Sequence, residues 1–126
     1  MWSFPLTESV EFHEEHPYSQ PLFVSEWGRV LRFSLNPGQS IREHGTPHSP
    51  FFAVVLEGEG MFAGEDGQEQ RFGPQSLLIF APGERHAVRA LDQKLVFVGF
   101  LQGVAGTEAG SLSGEIVRQQ HDQASA

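Results

Sequence analysis

Gly38-Gln39-Ser40-Ile41-Arg42-Glu43-His44, running on into the apolar stretch Phe51 to Gly60, decides the fold together with a second turn, Ala81-Pro82-Gly83-Glu84-Arg85-His86. Each has a glycine or Pro-Gly corner and a histidine close to the end of a short apolar run. Runs of this length, apolar or alternating and bounded by Gly, Pro, Asn or Asp, read as strands. Three imidazoles, on His44, His48 and His86, therefore fall near strand ends contributed by two separate stretches. That is how a small β-barrel builds a metal or ligand site in its mouth.

Outward from these turns the same rhythm recurs about every eight to twelve residues, as in an all-β sandwich or barrel. Strands are expected at Val10–His13, Leu22–Trp27, Arg29–Leu35, Ser40–Glu43, Phe51–Glu57, Gly60–Ala63, Glu69–Phe72, Ser76–Phe80, His86–Ala90 and Leu95–Leu101. Asn36-Pro37-Gly38, Gly64-Glu65-Asp66-Gly67, Gly73-Pro74 and Pro82-Gly83 supply a fixed or positive φ where the chain must reverse, and Gly58-Glu59-Gly60 reads as a tight hairpin corner. The organisation expected is an N-terminal arm over 1–19, a barrel over 20–102 and a Gly-, Ala-, Ser- and Gln-rich tail over 103–126. One amphipathic stretch in that tail, Glu115–Gln120, has the pattern of a short helix. No internal repeat is evident, which argues against solenoids and propellers.

At 126 residues the chain is one domain around one core, and its eleven phenylalanines against one tyrosine and two tryptophans imply an interior lined by rings that need no hydrogen bonds. The formal charge of −8, with only eight Lys and Arg, speaks against nucleic acid and against an anionic membrane as partners. Without cysteine, any metal must be held by histidine, carboxylate or water. The start, Met1-Trp2-Ser3-Phe4, lacks a basic and apolar leader, and no segment has the apolar length of a membrane span, so a soluble cytoplasmic protein is expected.

Over residues 20 to 102 the chain resembles the small single-domain cupins, whose double-stranded β-helix, or jelly roll, is the fold this implies. The first cupin motif, G-x5-H-x-H-x(3,4)-E-x6-G, is matched by Gly38, His44 and Gly58, with Val54-Val55-Leu56-Glu57-Gly58-Glu59-Gly60 as its hairpin. Pro82-Gly83-Glu84-Arg85-His86 matches the P-G-x-x-H variant of the second motif. The ligand positions depart from that frame. Thr46 stands at the second histidine and Phe51 at the glutamate, while Ala90 stands four residues past the last histidine, where asparagine is sometimes found. His48, two residues beyond Thr46, is positioned to substitute for the missing histidine.

Three neutral imidazoles plus water make a sensible site for Zn, Ni, Cu or Fe, so a divalent transition metal on His44, His48 and His86 is one expectation. Phe51 in place of a carboxylate weakens affinity for hard ions and removes the two-histidine-one-carboxylate arrangement of non-haem iron. Glu43 alternates away from His44, and Glu84 sits in a turn. Arg42, Thr46, Phe51, Ala53 and Val88 are the expected ligand-pocket residues, with Ala53 and Val55 on the face of Phe51 and Val88 on that of His86. Arg42 is placed on the strand face of His44. Arg32, Arg85 and Arg89 are further candidate anchors for a ligand carboxylate, each with the alternative of a surface ion pair. His13-Glu14-Glu15-His16 has i, i+3 spacing and lacks the H-E-x-x-H zinc signature.

Two functional classes remain open: a metal-dependent cupin acting on a small organic substrate, or a metal-free binding barrel ringed by Phe51, Phe62, Phe80 and histidines. A structural role through a homodimer is a third, with Trp2, Phe4 or Trp27 as contact residues.

Overall fold

The apolar runs pair into nine strands: β1 (Tyr18–Val24), β2 (Gly28–Leu35), β3 (Ser40–His44), β4 (Phe51–Glu57), β5 (Gly60–Ala63), β6 (Gln70–Phe72), β7 (Leu77–Phe80), β8 (His86–Ala90) and β9 (Leu95–Gln102). The computed structural model describes residues 1–103, and of Glu43 and His44 the backbone alone. The expected helix at Glu115–Gln120 lies outside the described residues. Strands form two antiparallel sheets, β1-β2-β9-β4-β7 and β3-β8-β5-β6, and the chain crosses between them as a jelly roll, the double-stranded β-helix.

Alternation fixes which side of each strand faces in. Along β4, Phe51, Ala53 and Val55 are buried while Phe52, Val54 and Leu56 are partly exposed. With Leu31, Phe33 and Leu35 of β2, Ile41 of β3, Phe62 of β5, Val88 of β8 and Leu95, Phe97 and Leu101 of β9, they make one core between the sheets. Rings dominate it. Phe33 stacks on Phe97 at 4.6 Å, and Phe62 meets Phe97 edge-on at 5.5 Å. Such pairs add about 0.5–1.5 kcal/mol each beyond their burial.

Strand β2 is buried on both faces, because the N-terminal arm lies over its outer side. The Arg32 guanidinium donates to the carbonyls of Pro5 and Leu6 and to Oε1 of Gln20, and the Ser34 hydroxyl donates to the Glu11 carbonyl. Residues Val10–His13, expected as a strand, are instead part of this strap. β2 already exchanges its ladder bonds with β1 and β9, so no edge is open to the arm. Side chains of the β2–β3 turn take over: Asn36 Nδ2 and Gln39 Nε2 both donate to the His13 carbonyl.

Candidate functional site

Strands β3 and β8 bring the two motif turns to one end of the barrel. Their register pairs Ile41 with Val88 and His44 with His86, so β3 spends one more residue than β8 over that interval. The extra residue is a one-residue bulge in β3. The partners on β8, Val88 and His86, are both buried. Arg42 is exposed.

His86 is 2% exposed and its ring is the centre of the site. The Phe51 ring lies nearly parallel to it, 4.8 Å away at 7°, and the Phe80 ring stacks at 4.6 Å and 26°. Nδ1 of His86 is 3.4 Å from the Glu84 carbonyl, a contact it makes as an N–H donor. Room for the Phe51 ring comes from across the ladder: a Cβ on Gly99 would stand 2.3 Å from Phe51 Cζ and 3.2 Å from Phe33 Cε2. Gly99, at an inward position of β9, is a site residue that sequence reasoning missed; its one signal is a glycine inside the apolar run Leu95 to Leu101.

The loops around this cluster are tied together by main-chain groups. Gly83 N–H donates to the Thr46 carbonyl at 2.8 Å, joining the two motif turns. Glu84 accepts from the N–H groups of Ala81 and Glu65, one to each carboxylate oxygen, while Glu65 accepts from Arg85 N–H. Ser49, fully buried, donates to the Pro50 carbonyl and accepts from Gln102 N–H, which pins the loop to the end of β9. Thr46 is buried and His48 is exposed.

The remaining candidates fall elsewhere. Arg42 and Val88 line a shallow concavity of about 470 Å³ together with Ser40, Ile41, Glu69, Ala87 and Arg89. Arg89 makes a two-point ion pair with Glu69 there, and Arg71 pairs with Glu59 at 2.7 Å. In both pairs the arginine hydrogen bond holds the glutamate below its ordinary pKa. Arg32 is committed to the arm. His13 and His16 stack on each other at 3.7 Å in the strap, where His13 Nδ1 accepts from Glu15 N–H and His16 Nδ1 donates to the Pro17 carbonyl.

The family model of the cupin domain matches residues 31–99, more than half of the chain. The chain is a cupin. Its fold is shared with an uncharacterized conserved protein with a double-stranded β-helix domain from Klebsiella pneumoniae, at 21% identity and TM-score 0.76, covering 83% of this chain and 92% of that one. It is likewise similar to an RmlC-like cupin from Desulfovibrio desulfuricans, at 25% identity and TM-score 0.76 over 82% of this chain and 97% of the other. A Thermus thermophilus protein shares 22% identity, with TM-score 0.76 over 82% and 98%. No curated protein matches the chain.

Within this cupin, the donors that the described side chains offer do not make a metal centre. An open metal site takes about three protein ligands. Among the described residues no three His, Asp or Glu side chains come together. Glu84 has both carboxylate oxygens engaged by main-chain N–H groups, and the Phe51 ring, at the carboxylate position of the motif, stacks on the His86 imidazole. Among the described residues no helix is long and apolar enough to cross a membrane.

Proposed function

We propose that this cupin binds a small, partly apolar organic molecule at the barrel end marked by His86, and does so without a metal. The observation that carries the reading is the Phe51 ring stacked on His86, an aromatic wall at the position where the cupin motif has a carboxylate. Phe51, Phe80 and His86 offer a planar ligand flat apolar faces and a polar imidazole. All three rings are buried and in mutual contact, so a ligand reaching their faces must displace at least one of them. Stacking of about 0.5–1.5 kcal/mol per ring pair is small enough for ligand contacts to replace. Thermal shifts with small carboxylates, phenols and heteroaromatics, measured in excess chelator, test this. The expected result is a stabilising class of compound whose effect disappears in His86→Ala. Stabilisation that needs added metal contradicts it.

One observation favours a second reading. His44 is the direct ladder partner of His86, so the backbone brings two motif histidines opposite each other. In that reading His44 and His86, with His48, hold a divalent transition metal (Zn, Ni, Cu or Fe). Such an ion, when bound, supplies Lewis acidity toward a carbonyl or enolate oxygen. Loss of metal on acidification through the histidine range, near pH 6.5, accompanies that reading and is absent from the first.

A further inference from the structure

Directly opposed residues in an antiparallel ladder project from the same face. On the inner face of the five-stranded sheet one such row runs Val24 opposite Arg29, Arg29 opposite Leu101, Leu101 opposite Phe51, and Phe51 opposite Phe80. Leu101, Phe51 and Phe80 belong to the core. Arg29 shares its side of β2 with the core residues Leu31 and Phe33, and the register with β9 is unbroken along that strand. The row therefore carries a guanidinium into the barrel end that holds His86. Arg29 is 2% exposed.

Other contacts place it at the same end. Gln102, whose N–H is bonded to Ser49, sits opposite Gly28, the residue before Arg29. Among the buried polar side chains, Arg32 and Ser34 serve the N-terminal arm. Arg29, Thr46, Ser49 and His86 belong to the barrel end of the motif turns. The cations on the outer concavity, Arg42 and Arg89, are exposed, where solvent screens them.

We propose, on the reading that Phe51, Phe80 and His86 receive a ligand ring, that Arg29 anchors a carboxylate borne by that ring. A guanidinium is a planar fork of N–H donors that keeps its charge at any working pH and matches a carboxylate in two points. Its partners in the row are apolar, and charge-assisted hydrogen bonds are stronger in such low-dielectric surroundings. Arg29 and Phe51 stand two strand spacings apart, roughly 10 Å. An arginine side chain and a single ring with an attached carboxylate span that distance together. With a net charge of −8 the chain repels anions at long range, and a fixed cation inside the barrel end reverses that preference locally. Arg29 is engaged within the chain, so the carboxylate enters by exchange, as the ring does among Phe51, Phe80 and His86.

Isothermal titration calorimetry of the full chain at pH 7 in excess chelator, with benzoate, nicotinate and 2-furoate each beside its primary amide, tests the proposal. At least one carboxylate is expected to bind at least about tenfold more tightly than its amide, the weight of a charged hydrogen-bond partner. Arg29→Gln is expected to erase that preference. Because a substitution at a buried site can unfold the chain, the guanidinium Nε–H resonance of Arg29 is also followed in the wild type. It is expected to shift on saturation with the carboxylate and to stay in place with the amide. Carboxylate and amide of equal affinity, with binding lost in His86→Ala, overturn the proposal and leave the barrel-end reading standing. A preference that persists in folded Arg29→Gln, or an unmoved Nε–H signal, overturns it as well. No binding by any of these compounds overturns it together with that reading.

Discussion

Gly99 and Phe51 are predicted to be energetically coupled, and a double-mutant cycle measures it. Gly99→Ala alone places a methyl 2.3 Å from Phe51 Cζ and 2.5 Å from Cε1, far inside contact distance, while Phe33 Cε2 at 3.2 Å needs to give only slightly. Phe51 is held by Phe33, Phe80 and His86, so its ring has little freedom to retreat. Overpacking of this kind costs about 1–3 kcal/mol. Phe51→Ala alone opens a cavity beside His86 and should cost about 3–5 kcal/mol. In the double variant the added methyl enters that cavity, so the Gly99→Ala penalty should vanish, giving a coupling of about 1–3 kcal/mol and leaving the double variant no less stable than Phe51→Ala alone. Equilibrium urea unfolding, followed by far-ultraviolet circular dichroism and by tryptophan fluorescence, reads all four corners. Additivity within about 0.5 kcal/mol would refute the placement of the Phe51 ring over Gly99, and with it the stack on His86.

Phe51→Glu should lower stability by at least about 3 kcal/mol, because it buries a carboxylate among rings, and added Zn(II) should then raise the thermal midpoint of the variant but not of the wild type. No metal-dependent rise in the variant means that position 51 is not oriented toward a ligand set. The carboxyls of Glu59 and Glu69 should titrate below ordinary glutamate, each held down first by its hydrogen bond to arginine. Their folded-state pKa values are depressed, so whatever stability these pairs contribute is present above the unfolded pKa, near 4.3, and is lost as pH falls through the lower folded values. Carboxyl-detected NMR titration at low and high salt checks both the direction and its weakening by screening; midpoints at or above 4.3 contradict it. Ser49→Ala should cost about 1–3 kcal/mol by leaving Gln102 N–H without its acceptor, with faster amide exchange at Gln102 as the local signature. Unchanged exchange there means the loop is pinned by other contacts.

Much of the fold is legible in the sequence because its turns are chemically explicit. Gly38, Gly58, Gly67 and Gly83 all adopt positive φ, and at Gly58 a Cβ would collide with the Lys94 carbonyl, so the strand breaks around the hairpin leave little choice. Strands β4, β5 and β8 have the boundaries that alternation and these corners imply. What is not legible depends on register. The one-residue bulge in β3 decides that His44 is paired with His86, and no local pattern in Ile41-Arg42-Glu43-His44 announces it. Val10–His13 alternates like a strand, yet becomes a strap because β2 has no open edge for it. The stack of Phe51 on His86 and the inward row from Val24 to Phe80 join residues far apart in the chain. They emerge only once each ladder is in place.

Elemental analysis bears most directly on the site. The chain is purified untagged and without chelators, incubated with Zn, Ni, Cu, Mn and Fe(II), dialysed, and compared with His86→Ala. A metal-free barrel end predicts the same low, substoichiometric metal in both proteins, since the exposed His13 and His48 and the half-buried His16 are common to them. One equivalent of metal in the wild type that disappears in His86→Ala contradicts that reading and makes the His44–His86 pair a metal centre.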